Sequence, residues 1–259
     1  MILIPQRLFA DPQVSILLRQ ENTCILRKEL TQPLIQREAY VANHVISFVL
    51  AGEQKLKTYD EHLISVKEGE IVFLPRGVYY VTDLLPAQGH FKSVLFYFDD
   101  ELIHSFLRHS KVTEIHQRKA PDHLKFEQLP KVRLFVESLL AIYGEQKGGK
   151  QFLELKILEL LYLLNEQVPN KQFAEFLFRL TLPQKRNIKS FMEHNYDKPL
   201  KMEDYAYLTG RSLSTFRRDF KAYYDTTPQR WVKDRRMQKA ISLLEQREMS
   251  VTDLAYEVG

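Results

Sequence analysis

Cysteine is almost missing from this chain. Cys24 stands alone among 259 residues, so neither an internal disulfide nor a zinc site built on paired thiolates can form, and the single thiol reads as an inert buried group. Long apolar runs are missing too. Nothing approaches the ~18 residues needed to cross a bilayer. The opening MILIPQRLFA has no basic lead, and Pro5 cuts its short apolar piece, which argues against a secretory leader. These absences predict a cytoplasmic protein with no membrane partner. Wholesale disorder is excluded as well, because 44% of the residues are hydrophobic and 27% charged, ordinary values for a folded chain long enough for two cores.

No excess of one charge exists over the first two thirds. Residues 1–183 hold 22 Lys and Arg against 22 Asp and Glu, whereas residues 184–259 hold 15 against 11. The whole net charge of +4 therefore lies in the last third. It concentrates between Thr209 and Lys239, where Arg211, Arg217, Arg218, Lys221, Arg230, Lys233, Arg235, Arg236 and Lys239 face only Asp219, Asp225 and Asp234. Such a footprint suits phosphates, although a solvated helical face has the same composition.

The chain changes character along its length. His44–Leu50, Glu70–Leu74, Tyr79–Thr82 and Phe91–Phe98 are short runs rich in Val, Ile, Phe and Tyr between turn signals, the pattern of a sandwich or small barrel. Beyond Asp99 the period becomes helical. Leu102, Ile103, Phe106 and Leu107 form one stripe; Val132, Phe135, Val136, Leu139, Leu140 and Tyr143 form another. Phe152–Asn165 is apolar around more than half its circumference, so it packs on its own domain and leaves surface for a second copy. Dimerisation is expected between Pro130 and Gln167. From Gln184 everything reads as helix. The predicted architecture is multidomain α+β, with a β-barrel and flanking helices over 1–170, a linker helix at 171–183 and an all-α domain over 184–259.

The strongest constellation lies between Asn195 and Arg236. Leu200, Met202, Tyr205, Ala206 and Leu208 supply a short apolar helix, Gly210 a tight turn and Ser212 the cap of a second helix. Leu213, Phe216 and Phe220 line that second helix's buried face, while Ser214, Thr215, Arg217, Arg218 and Lys221 fall mainly on its open side. This is the pattern of a helix-turn-helix that enters the major groove. Arg can pair with guanine through two parallel hydrogen bonds, and Lys221 suits a phosphate as a point charge. Trp231 reads as a core anchor for the following helix. Arg235 and Arg236 complete the candidate contact set, with internal pairing to an acid such as Asp234 or Asp219 open for one of them.

At this point the sequence resembles a family. Asn195-Tyr196, Pro199-Leu200, LTGRSLSTFRRDFK (208–221), Thr227-Pro228, Arg235-Arg236, Ala240, Leu243-Leu244 and MSVTDLAYEVG (249–259) are similar to the DNA-binding domain of AraC-type bacterial transcription regulators over about 65 residues. In that family a long helix, here Gln229–Gln246, joins two helix-turn-helix units. The second unit would start at Ser250, and Gly259 resembles its turn glycine, so the resemblance implies a longer protein whose second recognition helix lies beyond this chain.

The front half supports the same likeness. GEIVFLPRG (69–77) is similar to the second motif of cupin barrels, the fold that AraC-type regulators often carry as a sensor domain. Metal-binding cupins have His where Tyr80 stands and a His-x-His pair near His44, and neither is present, so no metal and no cofactor are expected. The barrel motif, the helical stretch 155–164 and FMEHNY (191–196) also resemble activators of type III secretion genes, whose sensor domains answer to partner proteins. The resemblance implies a non-enzymatic, sequence-specific regulator, more often an activator, with promoter DNA and RNA polymerase as partners and a small effector or a regulatory protein at the first domain. The alternative is a cupin-like ligand- or protein-binding module whose shortened helical tail no longer binds DNA usefully.

Three patterns mislead. GEQKGGK (144–150) has the spacing of a phosphate loop, but Gln151 replaces the magnesium-holding hydroxyl and no strand precedes it. His109, His116 and His123 recur every seven residues, yet Pro121 breaks the helix that would align them. Ser, His and Asp occur without any G-x-S-x-G elbow.

Overall fold

The computed structural model describes residues 1–58, 61–110, 121–127, 129–144, 150–168, 172–182, 185–246 and 250–259. The chain divides into two compact units, Ile2–Leu182 and Pro183–Gly259, with Met1 grouped with the latter.

The first unit is built on two sheets. β1 (Ile2–Ile4), β4 (Leu34–Val41), β9 (Gly77–Leu84), β6 (Glu53–Thr58) and β7 (Leu63–Lys67) form one, in that order. β11 (Leu124–Phe126), β8 (Ile71–Leu74), β5 (His44–Ala51), β10 (Phe91–Phe98), β3 (Thr23–Leu30) and β2 (Val14–Gln20) form the other. All pairings are antiparallel except β1 with β4. The sheets enclose an apolar interior that includes Leu26, Val45, Val49, Leu56, Val66, Leu95 and Tyr97. This is the expected cupin-like barrel.

Strands β5 and β10 are buried along nearly their whole length, and strand alternation explains why they read as unbroken apolar runs. Phe91, Leu95 and Tyr97 face the barrel, whereas Val94, Phe96 and Phe98 face a second core against helices. Those helices are α1 (Asp100–Ser110), α2 (Pro130–Tyr143), α3 (Leu153–Gln167) and α4 (Gln172–Leu180). The segment 171–183 is therefore not a free linker helix. Phe173, Ala174, Phe176 and Leu177 of α4 are buried in the same core, and Phe176 meets Phe73 edge-on at 5.2 Å. Spacing alone could not show that four apolar side chains already had a partner sheet.

The two residues used to judge metal binding both turn away from the barrel interior. Tyr80 lies on the outer face of β9, where its hydroxyl donates to Glu38 at 3.3 Å. His44 lies under the helices between Phe73 and Phe98, with Nε2 2.8 Å from Asp100 and Nδ1 accepting the Arg76 N–H at 3.2 Å. Cys24 is buried in β3, and burial pushes its thiol far above the usual range. Of the misleading patterns, His116 and most of 144–150 lie outside the described residues. His109 bonds its own helix at Ser105, and burial pushes His123 below its ordinary value.

The second unit is all helical. It comprises α5 (Ile188–Asn195), α6 (Met202–Leu208), α7 (Leu213–Tyr224), α8 (Pro228–Gln246) and α9 (Val251–Val258). No helix among the described residues is long and apolar enough to cross a membrane.

Candidate nucleic-acid interface

Local chemistry shapes the α6–turn–α7 unit. Asp204 accepts the Lys201 N–H at 2.9 Å and caps α6. Thr209 closes that helix by donating its buried hydroxyl to the carbonyls of Tyr205 and Ala206 at 2.8 and 3.0 Å. Gly210 then adopts φ +68°, a left-handed conformation that costs side-chain-bearing residues about 1 kcal/mol or more. Ser212 starts α7 by accepting the Thr215 N–H at 3.2 Å, and its hydroxyl also donates to Thr215 Oγ1 at 2.9 Å. Phe216 and Phe220 are fully buried, as are Tyr205 and Met192 opposite them. Phe220 stacks on Tyr224 at 4.6 Å and meets Trp231 edge-on at 5.7 Å.

Burying that face leaves the other open. At about 100° per residue, Arg217, Lys221, Ser214 and Arg218 fall within an arc of about 100° around α7. All four are exposed. The side chains of Arg217 and Lys221 have no hydrogen-bond or ion-pair partner among the described residues. Arg218 reaches Asp219 at only 3.4 Å and keeps 77% of its side chain exposed. Ser212 lies at the N-terminal end of the same face, and Thr215 is half-buried beside it.

Arg235 and Arg236 both make contacts within the second unit, where the sequence left internal pairing open for one of them. Arg235 pairs with Glu193, and its guanidinium lies 5.2 Å from the Tyr196 ring and 5.5 Å from the Trp231 ring. Arg236 donates Nε to Tyr196 O at 2.7 Å, one terminal nitrogen to Lys198 O at 2.5 Å and the other to Gly259 O at 2.8 Å. It thus fastens the end of α5 and the segment after it to α8, together with the residue that follows α9. Neither arginine pairs with Asp219 or Asp234. Their hydrogen-bond partners are 38 to 42 residues away in sequence or at the far end of α9, beyond the reach of any local pattern.

Two more cations leave the basic footprint in the same way. Arg211 is almost wholly buried and donates to Asp219 at 3.0 Å, to Thr209 O at 2.6 Å and to Arg186 O at 2.9 Å. Its guanidinium holds the Asp219 carboxyl below the usual carboxylate range. Lys239 pairs with Asp197 at 2.6 Å and donates to Glu257 O at 2.7 Å. Sequence reasoning missed the holding role of Arg211 because an arginine in a turn carries no mark of burial. Gly259 completes this region at φ +93°, where a Cβ would lie 2.4 Å from Asp197 O.

Both units match known protein domains in sequence. The model of the ExsA N-terminal regulatory domain matches residues 44–176, and a helix-turn-helix domain model matches residues 205–259. The thermoregulatory protein LcrF of Yersinia pestis is 30% identical over 214 residues, covering 78% of this chain and 74% of LcrF. The virulence regulon transcriptional activator VirF of Yersinia enterocolitica is 29% identical over 221 residues, 81% of this chain and 76% of VirF. The HTH-type transcriptional regulator ExsA of Pseudomonas aeruginosa is 26% identical over 223 residues, 82% and 76% respectively.

Proposed function

This chain belongs to the AraC-type bacterial transcription regulators, in the branch that carries the ExsA N-terminal regulatory domain, and from that premise we propose that α7 is its base-reading element. The protein is a DNA-binding transcription regulator with an N-terminal regulatory domain. In this reading it activates its promoters, as the names of VirF and RhaS state of those proteins, and RNA polymerase is its functional partner. Arg217 reads a base edge, Lys221 and Arg218 hold the phosphate backbone, and Ser212, Ser214 and Thr215 contact the backbone near the start of α7. Arg235 and Arg236 shape the fold and do not touch DNA.

One observation carries the assignment. Burial of Phe216 and Phe220 leaves the unpaired cations Arg217 and Lys221, with Arg218 held only loosely by Asp219 at 3.4 Å, on a single exposed arc next to turn geometry that presents the helix. The test compares operator binding across a salt series. Arg217→Ala costs about 1–3 kcal/mol and relaxes the preference at one base position. Lys221→Ala weakens all sequences alike and lowers the salt slope by about one unit. Unchanged operator preference in Arg217→Ala would reject the assignment.

The regulatory unit also supports self-association. Leu134 and Ile142 on α2 and Leu155 and Tyr162 on α3 are exposed apolar side chains of the helices packed on the barrel. In our reading this layer pairs with a second copy. A protein or small effector acts on the same unit.

A further inference from the structure

Ahead of α5 the chain is pinned to the turn that starts α7. The Arg186 N–H donates to Thr209 O at 3.1 Å, and the Arg211 guanidinium donates to Arg186 O at 2.9 Å while it also holds Thr209 O and Asp219. Both backbone polar groups of Arg186 are therefore engaged by the turn. Asn187 then caps α5 by accepting the Ser190 N–H at 3.1 Å, which fixes the path of the chain just after the anchor.

The side chains at this anchor are free. Lys185 and Arg186 are exposed, and neither side chain has a hydrogen-bond or ion-pair partner among the described residues. Asp219, which the Arg211 bridge brings close, is already held by Arg211 and Arg218. A basic segment whose backbone is fixed beforehand loses less conformational freedom on gripping an anion than a flexible tail does. Its place favours one anion. At about 100° per residue, Asp219 lies about 100° around α7 from Arg218, with Thr215 between them, so the anchored segment borders the Arg218 side of the exposed arc. A helix in the major groove has a phosphate backbone along each side.

We propose that Lys185 and Arg186 form a short anchored arm that grips the DNA phosphate backbone on the Arg218 side of α7. The arm rests on the reading of α7 as the helix that enters the groove. Lys189 does not belong to it: on the first turn of α5 its ammonium lies 5.6 Å from the Tyr223 ring, and Tyr223 stands about 140° around α7 from Arg218, away from the arc.

Phosphate contacts carry no sequence information, so a mixed-sequence DNA duplex serves as the probe. Fluorescence anisotropy over a salt series compares the native full chain with the double variant Lys185→Gln, Arg186→Gln and with Lys189→Gln and Lys221→Ala, each checked for folding by circular dichroism. The arm substitutions leave the backbone anchor in place. Each lost phosphate contact lowers the slope of log affinity against log salt by about 0.9, so the double variant should lower it by about two units and Lys189→Gln should leave it unchanged. A fall of less than about one unit in the double variant overturns the arm. So does a fall per charge in Lys189→Gln equal to that of the double variant, which would mark a diffuse loss of positive field. Lys221→Ala separates the two readings: a fall of about one unit there beside an unmoved double variant rejects the arm alone, whereas slopes unmoved in both reject the assignment of α7 and the arm with it. Absence of binding to the duplex at low salt overturns both.

Discussion

Replacing Arg236 separates a DNA contact from an internal clamp. The guanidinium donates three hydrogen bonds to backbone carbonyls, two of them partly buried. Hydrogen bonds from charged donors are worth about 1.5–3 kcal/mol each when sheltered and little when exposed. Arg236→Met keeps much of the aliphatic stem and removes all three, so the expected loss is about 3 kcal/mol. That is a large share of the roughly 4–11 kcal/mol typical for a unit of this size. With a urea dependence of about 1.5 kcal/mol/M, the unfolding midpoint falls by about 2 M. Trp231 is the sole tryptophan and lies 4.9 Å from Tyr224 in the second unit, so its fluorescence reports that unit. Arg236→Lys retains the charge without the planar fork and recovers only part of the loss. Operator affinity measured where the variant is still folded stays near the native value, with an unchanged salt slope. An unmoved midpoint together with a salt slope smaller by about one unit would refute the clamp and place Arg236 on a phosphate.

The Phe216 side chain is fully buried, so Phe216→Ala should lower the stability of the second unit by about 3–5 kcal/mol in the same Trp231 titration. Tyr205 is buried, with its hydroxyl donating to Asn195 O at 2.9 Å, and burial pushes its pKa from 10.0 up to about 12. A raised folded pKa gives stability that is complete below the unfolded value and is lost as pH climbs from about 10 through 12. Tyr205→Phe should therefore flatten the alkaline decline in stability over that window, at the cost of about 1 kcal/mol at neutral pH. On α3, Leu155 is 61% exposed but Leu161 is fully buried. Leu155→Arg should dissociate a dimer while leaving the melting temperature nearly unchanged, whereas Leu161→Arg should unfold the first unit. A dimer that survives Leu155→Arg in analytical ultracentrifugation argues against the helical layer as its interface.

The sequence by itself determined the class of each unit and most helix limits. The stripe opening after Pro130 became α2, Ser212 and Ser250 capped α7 and α9, and Thr227-Pro228 opened α8. These features are local, since caps, turns and periodicity act over a few residues. The strands His44–Leu50 and Phe91–Phe98 were legible for the same reason, because burial on both faces writes continuous apolar runs. Strands β6 and β7, with sequences EQKLKT and LISVK, carry polar outward residues and gave no comparable signal.

Only the tertiary structure decided which charges were free. Nine basic residues between Thr209 and Lys239 look alike in sequence. Folding brings Glu193 to Arg235, Asp197 to Lys239, Asp219 to Arg211 and three carbonyls to Arg236, which leaves Arg217, Arg218 and Lys221 as the exposed cations of α7. The buried Lys28–Asp83 pair, 55 residues apart, was invisible for the same physical reason. A charge is defined by the sequence, but its partner is chosen by chain segments that meet only when the core closes.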